Sequence, residues 1–262
     1  MNPSDQFLAR PDPNAHIVQL YRDPAVLRET VGSYLSEGFR SGDSAVVIAT
    51  PDHWKEFRKE LEARDQHPSR MEQDGRLAVL DARSTLDGFM RQGMPDEGLF
   101  HRAIGSVLST ITSAGAHLRA YGEMVSLLWA DRNFDAALRL EELWNALAER
   151  SPFTLLCAYE GDTLAPEFHS LPAESVFLQH THVVPGEDTE RLNRDVSQAM
   201  DEVLGKAEAD ALRPLIAATQ RRATTLSVAQ ATLLWFQSNL PHHAQAVLAA
   251  ARRLSADAHR SN

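Results

Sequence analysis

The chain has a single cysteine, Cys157, among 262 residues. That excludes an intrachain disulfide and any paired-thiol zinc motif, and it fits a reducing compartment. Positive charge is also scarce: 26 Lys and Arg stand against 36 Asp and Glu, a net charge of −10. Such a balance argues against non-specific binding to nucleic acid, which needs a basic face to displace counterions, and against an anionic membrane surface. No apolar run approaches the roughly 20 residues that cross a bilayer. The opening MNPSDQFLARPDPNAH lacks the basic start and apolar core of a signal peptide. A cytoplasmic protein with no nucleic-acid or membrane partner is expected.

A phosphate-cradling loop is missing as well. It needs GxxxxGK[ST] between the first strand and its helix. Here the junction reads Tyr21-Arg22-Asp23-Pro24-Ala25, with no glycine, no lysine and an acid where phosphates would sit. The run Gly38 to Gly42 falls at a helix end, the wrong pole of the dipole for phosphate. No GxGxxG follows a strand. ATP hydrolysis by the usual machinery is not expected, and no cofactor is implied.

What is present is a regular alternation. Apolar content of 43% and charged content of 24% are those of a soluble globular protein. After a polar, proline-punctuated leader (1–14), HIVQLY (His16–Tyr21) reads as a buried strand. Asp23 and Pro24 suit the N-cap and first position of a helix that closes at Gly38 and Gly42. AVVIA (Ala45–Ala49) reads as a strand covered on both faces. Asp52 is placed to cap the helix of Trp54, Phe57 and Leu61. Leu77–Leu80 forms the next strand, ending at Asp81, and a helix with Leu86 and Phe89 follows. A long helix through Phe100, Ile104, Leu108 and Ile111 ends at Gly115. Leu118–Met124 reads as a strand carrying Glu123, Phe134–Arg150 as an amphipathic helix, and Phe153–Tyr159 as a buried strand.

Short apolar strands alternating with amphipathic helices predict an α/β fold, a mainly parallel sheet with helices on both faces. Ser175–Val184 offers an edge strand. From 188 to 255 the chain is alanine- and leucine-rich with no strand signal. This predicts a small all-helical C-terminal unit, broken at Pro241, before a frayed tail (256–262).

Sites in such sheets lie at the carboxyl ends of strands, which here carry Tyr21, Thr50, Asp81, Glu123 and Tyr159. Beside the helix stripe Leu140, Trp144 and Leu147 stand Glu141, Glu142 and Asn145; one carboxylate and the Asn145 amide are expected to turn inward toward a strand or ligand. Cys157, within FTLLCAY, reads as packed core before nucleophile. His180-Thr181-His182 puts two imidazoles on one side of an extended segment, and His16 or Cys157 could complete a metal set; without a fixed third ligand no metal is expected. The candidate ligand-binding residues from strands are His16, Tyr21, Arg119, Glu123, Cys157 and Tyr159. Trp129, Glu142 and Asn145 join them. No catalytic residue is assigned.

The runs HIVQLY, EGFRSGDSAVVIATPDH (Glu37–His53), GRLAVLDA (Gly75–Ala82), RAYGEMVSLLW (Arg119–Trp129), LEELWN (Leu140–Asn145), FTLLCAY and HTHVVP (His180–Pro185) together resemble the MEDS domain. This is a sensory domain of methanogens and methylotrophs, named also for a dichloromethane-responsive regulator. The resemblance covers about 15–187. It implies a RecA/KaiC-type fold that has lost its phosphate loop, and a sensor of simple hydrocarbon derivatives coupled to a histidine kinase or a transcription regulator. No kinase core motif and no basic recognition helix stands in this sequence. A non-catalytic sensory protein is therefore expected, binding a small ligand or a signalling partner, with the C-terminal helices as candidates for homodimer formation. An atypical nucleotide binder or ATPase using Glu123 or Asp81 as general base or metal ligand with His16 nearby, and a DNA-binding regulator using Arg213, Arg221, Arg222, Arg252 and Arg253, are the alternatives.

Overall fold

The computed structural model describes residues 7–111, 117–161, 164, 175, 179–184, 189–220 and 227–260. The chain divides into two compact units, Met1–Glu160 and Gly161–Asn262. The expected edge of the α/β domain at 187 lies inside the second.

In the first unit, strands β1 (His16–Tyr21), β2 (Ser44–Ala49) and β3 (Leu77–Asp81) alternate with helices α1 (Pro24–Ser41), α2 (Pro51–Ala63) and α3 (Pro68–Gln73). Helix α4 (Ala82–Phe89) leads to a small antiparallel hairpin, β4 (Met90–Arg91) and β5 (Met94–Pro95). Its two-residue turn, Gln92-Gly93, takes positive φ at both positions (51° and 81°), as a primed hairpin turn requires. The expected long helix is interrupted: α5 (Glu97–Phe100) passes through a π turn (His101–Gly105) into α6 (Ser106–Ile111). Gly115, expected to end it, lies outside the described residues. Strand β6 (Leu118–Gly122), helices α7 (Met124–Ala130) and α8 (Phe134–Arg150), and strand β7 (Thr154–Glu160) complete the unit.

Within this unit the strands run parallel in the order β3-β2-β6-β7-β1. Strands β1, β2 and β6 are buried along their whole length, as a sheet covered on both faces demands. Consecutive residues of β6 show the two covers. Tyr121 meets Phe57 of α2, ring centroids 5.2 Å apart, while Gly122 lies under Trp144 of α8. Neighbours on a strand point to opposite faces, so α2 and α8 cover opposite sides.

Three expectations need correction. Asp52 is not the cap of α2; the N-cap is Thr50, with Pro51 in the first turn. The strand expected to reach Met124 stops at Gly122 and turns into α7. Its run MVSLLWA is apolar but for Ser126, and periodicity alone cannot separate a buried strand from a buried helix. Finally, α1 does not close at Gly38. It runs to Ser41, and Gly42 caps it in the left-handed region at φ 89°.

Gly38 has another role. A Cβ built there would meet Arg119 Cδ and Nε at 2.5 Å. The Arg119 guanidinium passes over this bare point of the helix to bond Asp43 Oδ2 (2.8 Å) and the carbonyls of Leu8, Tyr34 and Ala9 (2.9, 2.9 and 3.0 Å). It also stacks over the Tyr34 ring at 5.0 Å. Leu8 is buried, so residues 7–9, read as part of a loose leader, are a short helical turn tied to this arginine.

Among the described residues, the second unit holds a short strand, β8 (His182–Val184), and four long helices: α9 (Thr189–Leu204), α10 (Lys206–Gln220), α11 (Val228–Asn239) and α12 (Pro241–Arg260). They share a core of Val196, Met200, Ile216, Leu233, Phe236 and Val247. Ser227 and Gln230 form a capping box that starts α11, and the break falls at Leu240-Pro241 as the sequence indicates. Of the expected Ser175–Val184 strand, only His182–Val184 is a strand among the described residues. The last helix runs to Arg260, into the segment read as frayed.

Gly→Ala inside a helix ordinarily gains up to about 1 kcal/mol. Gly38→Ala is expected to reverse that sign and lose about 1–3 kcal/mol, because buried Arg119 has to shift. Gly88→Ala in α4, where nothing lies within 4 Å, is expected to be neutral or stabilising. Urea midpoints of the two variants test the contrast.

Candidate functional site

Two buried polar clusters lie on opposite faces of the sheet. The first is at the carboxyl edge. β6 ends at Gly122, and the Glu123 N–H extends its ladder to Ile48 O (3.1 Å). The Glu123 side chain turns to the α2 side. Its Oε1 accepts the Thr50 backbone N–H, at the start of α2. Its Oε2 accepts His53 Nδ1–H at 2.6 Å and the Tyr121 hydroxyl at 3.2 Å. Glu123 is 3% exposed, whereas 31% of the His53 side chain meets solvent. Tyr21, at the end of β1, stands edge-on to His53 with centroids 6.4 Å apart, and Phe57 stacks on the other side at 5.8 Å.

The electrostatics follow from burial. Desolvation, then the Glu123 charge, pushes the Tyr121 phenol up, so it stays a donor. Tyr21 is pushed up by burial and then by the charges of Glu160 and Glu123. The Glu123 hydrogen bond raises His53 above its ordinary value, against desolvation.

The second cluster lies beneath α8. β1 and β7 pair so that Val18 stands beside Cys157 and His16 beside Leu155. His16, Cys157 and Tyr159 therefore share the α8 face. His16 Nδ1–H donates to Asn145 Oδ1 (2.8 Å), and His16 Nε2 lies 3.2 Å from Glu141 Oε2. Cys157 Sγ is 3.5 Å from that same nitrogen and 3.8 Å from Glu141 Oε2. The Tyr159 hydroxyl donates to Glu141 Oε1. Burial first, then Glu141, drives both the Cys157 thiol and the Tyr159 phenol well above their ordinary values. A thiol held protonated in an apolar wall is a poor nucleophile. One nitrogen, one oxygen and one sulfur nonetheless converge here, the donor types that hold transition metals.

The nine sequence candidates thus fall into separate places. His16, Asn145, Cys157 and Tyr159 meet beneath α8, and Trp129 stands edge-on to Tyr159 at 5.4 Å. Tyr21 and Glu123 meet on the opposite face. Arg119 belongs to neither cluster; it is the buried tie under α1. Glu142 is a correction. Its side chain is 46% exposed and pairs with Arg139 on the surface, while Glu141 is the carboxylate that turns inward, at 0% exposure.

Two side chains of these clusters, His53 and Glu141, stand outside the nine candidates, although Glu141 is one of the two carboxylates from which the inward one was expected. Glu141 was legible: it lies four residues after Ala137 and three before Trp144, inside the buried stripe, whereas Glu142 is rotated about 100° further round. His53 needed the Thr50-Pro51 helix start to be located first. Of the metal candidates, His180 and His182 belong to the second unit. Among the arginines considered for DNA, Arg213 is held by Asp201 and Asp210, and Arg253 by Glu202; Arg221 and Arg222 lie outside the described residues.

Because the folded-state value of His53 is raised, its stabilisation is fully present below the unfolded imidazole's value, about 6.5. It is lost as pH rises through the higher folded value. His117, lowered mainly by burial, has the opposite sign and gains stability as pH rises. The stability difference between wild type and His53→Gln should therefore shrink from pH 5.5 to 8.5 in urea titrations. A second contrast concerns adjacent glutamates. Glu141→Ala removes the acceptor of buried donors and is expected to lose about 3–5 kcal/mol. Glu142→Ala should change stability by less than about 1 kcal/mol.

A comparison with known families matches residues 15–170 to the family described as MEDS, MEthanogen/methylotroph, DcmR Sensory domain. No curated protein matches the chain.

Proposed function

The chain belongs to the MEDS family of sensory domains, and on that premise we propose that it is a non-catalytic signalling protein. Its carboxyl-edge cluster receives a small, hydrocarbon-derived ligand or a signalling partner such as a histidine kinase or a transcription regulator. The observation that carries this reading is the β1–α1 junction. Where a nucleotide hydrolase of this architecture cradles phosphate, the Asp23 carboxylate accepts the Ala25 N–H at 2.8 Å. A fixed negative charge at that helix start repels phosphate instead of binding it.

Glu123 supports the same reading. It occupies the strand end where such a fold would keep its catalytic acid. Both of its oxygens already accept hydrogen bonds from the protein, which blunts it as a general base. Half-buried His53 is its link to solvent. A ligand with one polar group would engage that imidazole, which meets solvent. Such binding shifts the protein toward the arrangement the ligand prefers. The helical second unit supplies an output surface, on which Leu215 and Val228 are large exposed apolar residues.

Two measurements test this. ATP with Mg²⁺ should neither bind nor turn over; turnover that disappears in Glu123→Gln would overturn the reading. A thermal-shift panel of short alcohols, aldehydes and halogenated hydrocarbons should give one stabilising class. A ligand at a hundred times its Kd stabilises by about 2.7 kcal/mol, and that gain should be lost in His53→Ala.

A further inference from the structure

We propose that His16, Glu141 and Cys157 form a binding site for a divalent transition metal of the zinc type. This site is on the α8 face, away from the carboxyl edge, and stands whether or not the sensing reading holds.

The geometry points to it. The three donor atoms make a triangle with edges of 3.2 Å (Nε2 to Oε2), 3.5 Å (Sγ to Nε2) and 3.8 Å (Sγ to Oε2). A tetrahedral zinc ion has bonds of about 2.0–2.1 Å to nitrogen and oxygen and about 2.3 Å to sulfur, which spaces its ligands roughly 3.3–3.6 Å apart. The triangle matches one face of that tetrahedron, with a few tenths of an ångström to close on the sulfur–oxygen edge. The three residues come from β1, α8 and β7 and are 4%, 0% and 0% exposed. Nothing at the surface would impose this convergence.

The outer partners are arranged as a metal site needs them. Asn145 Oδ1 lies 2.8 Å from His16 Nδ1, a bond that orients the imidazole with Nε2 toward Glu141 and Cys157. The Tyr159 hydroxyl bonds Glu141 Oε1, leaving Oε2 to turn inward. Such second-layer bonds fix the tautomer and orientation of metal ligands. The donor set selects the ion: one thiolate and one imidazole favour zinc-like metals over magnesium or calcium, which take oxygen. On binding, the Cys157 thiol gives up its proton to solvent and the sulfur bonds the metal. The three residues supply three donors of a four-coordinate ion. No sequence motif announces the site, because its ligands stand 125 and 16 residues apart and are joined only by the parallel pairing of β1 with β7.

The competing account is a metal-free network in which His16 and Glu141 pair and the thiol merely donates. Cobalt distinguishes the two. Untagged full-length protein, stripped with chelator, is titrated with Co²⁺ and then with Zn²⁺. The expected result is one equivalent of Co²⁺ with tetrahedral visible bands and a near-ultraviolet thiolate-to-cobalt band, both displaced by Zn²⁺. In Cys157→Ser, which nearly conserves volume, the thiolate band should vanish while circular dichroism stays that of wild type. Asn145→Ala keeps all three ligands and should weaken cobalt binding about 10- to 100-fold. Wild type that takes up no Co²⁺, or takes it up with no thiolate band, overturns the proposal without touching the sensing reading.

Discussion

A carboxylate buried at 0% exposure has to be answered by donors, and the first unit is arranged around doing so for Glu141. An unpaired charge in such a place would cost several kcal/mol. The answer comes from two strands at once, His16 on β1 and Tyr159 and Cys157 on β7, while Asn145, one helical turn along on α8 itself, holds the other nitrogen of His16. Satisfying Glu141 fixes the register of β1 against β7, because a one-residue slip would turn His16 to the other face. It also fixes the rotation of α8. The same helix then sets Trp144 over Gly122 and against Phe100 and Phe153.

The opposite face repeats the device with another acid. Glu123 is held by an N–H at the start of α2, an imidazole on the first turn of α2, and a phenol on its own strand. The difference is access. Glu141 is sealed, whereas Glu123 is reached through His53, which meets solvent. One face therefore carries a closed polar network suited to holding an ion or a fixed geometry. The other carries a network that a small molecule could perturb. Arg119, beneath α1, is a third and purely structural knot that ties residues 7–9 to the sheet.

Much of the fold was legible because it rests on local patterning. AVVIA is uniformly apolar and became a strand buried on both faces; the alanine- and leucine-rich stretch after 188 became helices; Leu240-Pro241 became a break. What failed did so for physical reasons. MVSLLWA carries no polar face, so its helix was hidden. Glycine at 38 reads as a helix stop, yet it serves a side chain 81 residues away. The site was legible only in part. His16, Cys157 and Tyr159 stand out as polar groups in apolar strands, and their partners on α8 could be narrowed by helical phase. That Tyr21 and His53 face each other across the sheet end depends on the strand order β3-β2-β6-β7-β1, which no local signal specifies.

The central claim is that the carboxyl edge is a receiving site and not a catalytic one. Ring resonances of His53 observed by NMR in the full chain test it most directly, recorded first with short oxygenated or halogenated hydrocarbons and then with ATP and Mg²⁺. The account predicts that one class of small organic compound moves the His53 signals and that the nucleotide leaves them in place. Movement of His53 by the nucleotide, with no response to any organic compound, would contradict it.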